Sequence, residues 1–334
     1  MPKRAIVPNL VLAQRVIDKM CVAANTYIED ETGEAMVGLV DPGKNTNGVP
    51  TIYVLDTIAP DDTAERQYAK FEQGDHRQDE IIWWYHQNWN VQRARKDIPS
   101  KWDLPLKYLG DWHRQPGYMI APSGADLMTA LDILNDEERA QDFLLAPIVT
   151  LHHPTTTTGG EGMVNYLTVA QNQDEATRID FWYIDKELRM FVPIVPTLYA
   201  DNHLPRLAAH PWHLLHPDRA SVELTRLNND GLFASFITWD ADNELPLEIC
   251  LMLARQGDNK MLILVTDWDY PKRAPRAYST PFVSMQEDEV LYDVFERVWQ
   301  QRQPININFD WTTDSYLIDY VHAIEAQKTQ KDED

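Results

Sequence analysis

Apolar residues fall at Leu10, Ala13, Ile17, Met20, Ala24 and Tyr27, three or four apart, which predicts an amphipathic helix ending near Tyr27. The pattern then changes period. Residues 35–40 and 51–58 are short β-prone runs, and the Asp41-Pro42-Gly43-Lys44-Asn45 segment between them has the residues of a turn, so a hairpin is expected. A second helix is read over 79–96, carrying Ile81, Ile82, Trp84, Tyr85 and Trp89 and followed by Pro99. Residues 106–112 read as a strand. Ser123 has the side chain of a helix N-cap, and Leu127, Ala130, Leu131 and Leu134 continue at helical spacing, which puts Asp126 in the first turn. Residues 143–151, 181–184 and 188–195 look like further strands, the last two joined through Asp185-Lys186-Glu187. The first part of the chain is therefore expected to be α+β.

Pro196, Pro205, Pro211 and Pro217 discourage regular structure across 195–217 and mark a boundary. Beyond it the pattern predicts a helix over 218–227, strands over 231–240, 245–254 and 259–266, and two closing helices over 287–302 and 313–327. Two domains are expected, 1–200 and 205–330, because single cores stop growing near ~250–300 residues and the chain has 334. No repeat stands out, and the only low-complexity tracts are 155–158 and the charged tail.

Composition narrows the partners. A hydrophobic fraction of 44%, with 11 Trp and 14 Tyr, gives enough apolar surface for packed cores. The net charge of −22 repels phosphate backbones and anionic lipid, so nucleic acid and membrane are expected not to be partners. Cys21 and Cys250 are far apart and lack a Cys-x-x-Cys neighbour, which argues against a disulfide framework or a thiolate zinc site and suits a cytoplasmic location. The segment Met1-Pro2-Lys3-Arg4 leads into too short an apolar run for a secretory signal, and no 18-residue apolar run occurs.

One constellation carries chemistry. Gly110-Asp111-Trp112-His113-Arg114-Gln115-Pro116 is followed by Ser123 and Asp126, so the spacing runs His, one residue, Gln, seven residues, Ser, two residues, Asp. Upstream lies Glu31-Thr32-Gly33-Glu34-Ala35-Met36-Val37-Gly38. Over roughly 10–195 the chain resembles the prokaryotic JAB/MPN (JAMM-type) zinc isopeptidase family, whose signature is His-x-His-Pro, a Ser and an Asp, with a distant upstream Glu. The resemblance implies a cytidine-deaminase-like mixed sheet with flanking helices, His113 and Asp126 as zinc ligands, Glu31 as general base and Ser123 as donor to the oxyanion. A catalytic zinc takes three protein ligands and leaves its fourth position to water, which a nearby carboxylate then deprotonates. Gln115 stands where the family has its second histidine, and Glu34 and Met36 also depart from the upstream run. An amide oxygen is a weaker zinc donor than imidazole and the amide nitrogen is none, so any zinc is expected to be weakened unless Gln115, His76, His86 or another metal completes the sphere.

Other features read more plainly. His152-His153-Pro154 and the triplet His210, His213 and His216 lack a matching carboxylate spacing and are expected to be structural or surface residues. The Trp83-Trp84-Tyr85 and Trp89 cluster is expected to be core packing, with a peptide-binding face as the alternative. In the second part, a helix, three strands and then Asp269-Tyr270-Pro271-Lys272-Arg273-Ala274-Pro275 resemble the ubiquitin-conjugating-enzyme superfamily and its RWD relatives. No cysteine follows Cys250, so such a domain would bind rather than conjugate. The function expected from both resemblances is recognition of a ubiquitin-like modifier or its conjugate with weak or no catalysis. An active metal-dependent isopeptidase, a structural scaffold and a small-molecule hydrolase are the alternatives.

Overall fold

Leu10, Val11, Leu12 and Ala13 are all buried, a run of four that no single helix face could hide, and they form a strand covered on both sides. The helix expected from Leu10 therefore starts later, after β1 (Asn9–Ala13), as α1 (Gln14–Thr26). The structure is a computed structural model and describes residues 6–74, 76–157, 163–284 and 288–333. Met1 to Ala5, Thr158 and Glu287, on which parts of the sequence reading fall, lie outside the described residues. The chain divides into two units, Met1–Leu207 and Ala208–Asp334.

In the first unit the chain continues through β2 (Thr32–Asp41), β3 (Thr51–Ile58), β4 (Glu65–Gln67), β5 (Lys70–Glu72), α2 (Arg77–Arg95), β6 (Leu106–Arg114) and α3 (Gly124–Asn135). It ends with β7 (Phe143–Leu145), β8 (Ile148–Pro154), β9 (Tyr166–Ala170), β10 (Glu175–Asp180), β11 (Trp182–Asp185), β12 (Val192–Pro193) and β13 (Pro196–Tyr199). An eight-stranded mixed sheet has the order β13-β1-β3-β2-β6-β8-β10-β9. Its β1 runs parallel to both neighbours, while β2 is antiparallel to β3 and β6. A three-stranded sheet has the order β12-β11-β7, and β4 and β5 form a separate hairpin.

Two sequence readings fail here for identifiable reasons. The expected strand over 143–151 breaks at Pro147, whose missing N–H cannot serve a ladder, and its halves join different sheets. The proline-rich boundary hides β13, in which Pro196 takes the first position of an edge strand, a place where proline is tolerated. The hairpin of β9 and β10 has no counterpart in the sequence reading.

The second unit runs α4 (Trp212–Leu215), α5 (Pro217–Asn229), β14 (Leu232–Trp239), β15 (Glu248–Arg255), β16 (Lys260–Thr266), β17 (Arg276–Pro281), α6 (Leu291–Gln300), β18 (Gln303–Ile305) and α7 (Leu317–Glu333). Its five strands form one antiparallel sheet in chain order. Alternate residues Cys250, Met252, Ile263 and Val265 pack against Phe295, Val298 and Trp299 of α6. Losing one such side chain to alanine would cost ~2–5 kcal/mol. The other anchor is Glu223, fully buried on α5, which accepts hydrogen bonds from Arg219 Nε at 2.8 Å, from the Leu317 amide at 2.8 Å and from the Tyr270 hydroxyl. These bonds tie α5, the loop after β16 and α7 together. Both thiols are free, and Cys250 is completely buried. Among the described residues no helix is long and apolar enough to cross a membrane.

Candidate functional site

Glu31 and Gln115 are 84 residues apart and meet because β2 pairs with β6 in a register that sets Thr32 opposite Arg114 and Gly33 opposite His113. One step beyond that pairing, the Gln115 amide nitrogen donates to Glu31 Oε1 at 3.0 Å. In this orientation the amide nitrogen, a donor, faces the carboxylate, whose oxygens accept when it is ionised. The end of β6 is also fixed from the other side, where the His113 amide donates to the Pro147 carbonyl at 3.1 Å and the Gln115 amide to the Val149 carbonyl at 2.9 Å. Gly33 permits this close approach. A Cβ there would lie 2.3 Å from the Trp112 carbonyl oxygen and 3.2 Å from the His113 Cβ.

Asp126 is placed by α3. Ser123 caps the helix in a reciprocal box, its backbone N–H donating to Asp126 Oδ2 at 2.6 Å while its hydroxyl oxygen accepts from the Asp126 amide at 3.2 Å. The carboxylate is thereby held in the first turn, where the helix dipole favours negative charge.

Glu31, His113 and Asp126 line one cleft of about 380 Å³. Its walls include Phe71, Ile133, Leu144 and Phe191, with Tyr108 and Asp111 set along β6 beside His113. Burial pushes the Glu31 carboxyl above its ordinary value, and His113 and the Gln115 hydrogen bond pull in the opposite direction. Asp111 is likewise raised by burial, although it accepts the Tyr108 hydroxyl at 2.6 Å.

The structure thus brings three of the expected site residues to one cleft and leaves two outside its lining. Gln115 is turned onto Glu31, and Ser123 is engaged at its cap. His76 and His86 are also absent from the lining. His76 precedes α2, and His86 sits on that helix with burial holding its imidazole below the usual range. His153 is buried against Thr150 Oγ1 at 2.7 Å, and burial pushes His213 down to about 4. His153 is not on the cleft lining, and His213 belongs to the second unit.

The donor set does not fit a zinc ion. Among the described residues no group of three or more His, Cys, Asp or Glu side chains is placed to hold a metal. One oxygen of Asp126 is committed to its cap, and the atom of Gln115 nearest Glu31 is a nitrogen that cannot coordinate. The sequence reading missed Asp111, although its position two residues before His113 on a strand sets both on one face. A scan of protein-family models and a search of curated proteins each found no match for the chain.

Proposed function

We propose that this chain pairs a JAB/MPN-like domain with a conjugating-enzyme/RWD-like domain and recognises a ubiquitin-like modifier or its conjugate, with weak or no catalysis. The observation that carries the reading is the hydrogen bond from Gln115 to Glu31 beside His113 and Asp126. The residues of a hydrolytic site share one cleft, but the position of the missing imidazole holds an amide that restrains the base. The order of elements supports the family resemblance: α1, the β2–β3 hairpin and α2 precede β6 with His113, and a capped α3 with Asp126 follows. In the second unit, α5 and the β14–β15–β16 meander precede the Tyr270-Pro271 loop, as in conjugating-enzyme relatives. Its one cysteine is buried in the core with its thiol pushed far up by burial, so it offers no nucleophile.

An active hydrolase is the second reading, favoured by the convergence of Glu31, His113 and Asp126 on one cleft. Titration of the full chain with a ubiquitin-like modifier and its lysine conjugate, with and without a chelator, separates the two. Binding that survives the chelator without cleavage supports recognition. Cleavage that the chelator abolishes supports the hydrolase, and no binding of either probe contradicts both.

A further inference from the structure

Strand β14 lies at one edge of the second unit's sheet and pairs only with β15. Among the described residues no other segment bonds to its outer side, so a row of backbone N–H and C=O groups is unpaired there. Folded proteins guard such edges by shortening them, by placing proline or charge on them, or by a bulge. Leu232–Trp239 has none of these devices. It is eight residues long, holds neither proline nor a charged side chain, and matches β15 through eight residue pairs without a register shift. Every other edge strand among the described residues is shorter, and three of them carry proline: β18 at Pro304, β12 at Pro193 and β13 at Pro196.

The side chains of β14 suit a copy of themselves. Phe233, Ser235, Ile237 and Trp239 alternate onto one face, where Ile237 enters the core beside α6 while Phe233 is 68% exposed. In an antiparallel pairing of two β14 strands centred on Phe236, Phe233 of each copy stands opposite Trp239 of the other, and Ser235 opposite Ile237. Two-fold symmetry makes that aromatic pair twice and sets the half-buried Phe236 beside its own counterpart. Charge does not oppose the approach. The strand itself is uncharged, and the acids flanking it are engaged: Asp230 pairs with Arg255, Asp242 pairs with Arg276 at 2.7 Å, and one oxygen of Asp240 is shielded from solvent.

We infer that two copies of this chain pair edge to edge through β14, antiparallel about a two-fold axis, with Phe233 of each covered by Trp239 of the other. Pairing uses up the open edge of both copies, and the short, proline-bearing β18 at the far edge stops growth at the dimer. The contact is one strand ladder and a few side chains, so the dimer is reversible and its population follows concentration.

Sedimentation velocity of the full chain, from micromolar to near-millimolar concentration, reads the association. Monomer and dimer in concentration-dependent exchange are expected, with nothing larger. Phe233→Glu, at an exposed position, is expected to weaken the dimer at least tenfold while the circular dichroism spectrum stays that of the parent. Phe282→Glu, exposed just beyond β17, adds the same charge elsewhere and is expected to leave the dimer unchanged. Ala234→Pro and Ser235→Pro form a second test that does not depend on the first variant folding. Neighbouring N–H groups of a strand point to opposite sides, so one proline cuts the β15 ladder and the other only the outer edge. The proline variant that melts closer to the parent is expected to be monomeric. Hydrogen exchange at residues 232–239 is expected to slow as concentration rises. A chain that stays monomeric throughout, growth past the dimer, or a dimer of full strength in Phe233→Glu or in the better-folded proline variant would overturn the inference. So would equal weakening by Phe233→Glu and Phe282→Glu, or a dimer that adds no protection at 232–239.

Discussion

Arg114 follows His113 and points to the opposite face of β6, where it is 4% exposed. Its guanidinium donates to the Asp30 carbonyl at 2.9 Å and to the Ile28 carbonyl, which fixes the turn immediately before Glu31. Arg66 supports the same turn, its Nε donating to Thr32 Oγ1 at 3.1 Å. Arg114→Met removes both carbonyl bonds and should cost ~2–4 kcal/mol in urea unfolding, with Arg114→Lys recovering only part because an ammonium cannot span two carbonyls as a fork does. A change below ~0.5 kcal/mol would show that the turn is held by other means. That Glu31, His113 and Asp126 line one cleft agrees with the spacing that singled them out. The direction of Gln115 was not legible, because which atom an amide turns toward a carboxylate depends on a strand pairing across 84 residues.

At the scale of elements, α3 carries the clearest local signal in the chain, a Ser N-cap with an acidic residue three positions on, and the capping box is present. Ser123→Ala should lower the thermal stability of the first unit by ~1 kcal/mol, and Ser123→Asp should retain most of it. Equal stability of all three proteins would remove the cap from the account of how Asp126 is placed. Other elements were harder to read. The helix spacing of α1 is genuine from Ile17 onward, but Leu10 and Ala13 match it by coincidence and belong to an interior strand. Residues 143–151 look continuous because both halves are apolar, although Pro147 turns them into different sheets. Strand β13 was concealed by Pro196 at its start, and its pairing with β1 is a long-range contact that no local window contains. The meander of the second unit was more legible, since each of its strands pairs with the next.

At the scale of the whole molecule, the charge of −22 favours partners with neutral or basic faces, which is compatible with the recognition proposed above. Its titration also shapes stability. Burial and the neighbouring Asp242 hold the Glu248 carboxyl at about 7, against its ordinary 4.5. Arg276 bridges Glu248 at 2.9 Å, Asp242 at 2.7 Å and Asp267 at 3.4 Å in the same cluster. A raised carboxyl binds its proton more tightly in the folded chain, so Glu248 favours the fold below 4.5 and this contribution fades as pH rises through about 7. Asp242 shifts the other way: burial raises it, but the hydrogen bond from Glu248 and the charge of Arg276 bring it below its ordinary value, so its contribution is lost only under more acidic conditions. Urea midpoints for Glu248→Gln should therefore gain on the parent protein between pH 5 and pH 8. Parallel curves for the two proteins would show that Glu248 does not titrate in that window.

In the proposed reading Gln115 stands where the resembled family has a second histidine, and zinc binding is therefore weak or lost. Zinc content after chelation and reloading, measured for the parent chain beside Gln115→His and Gln115→His with Asp126→Ala, tests it most directly. The account predicts little zinc in the parent, near-stoichiometric zinc in the histidine variant, and loss of that zinc when Asp126 is also removed. Stoichiometric zinc in the parent, or none in the histidine variant, would contradict it.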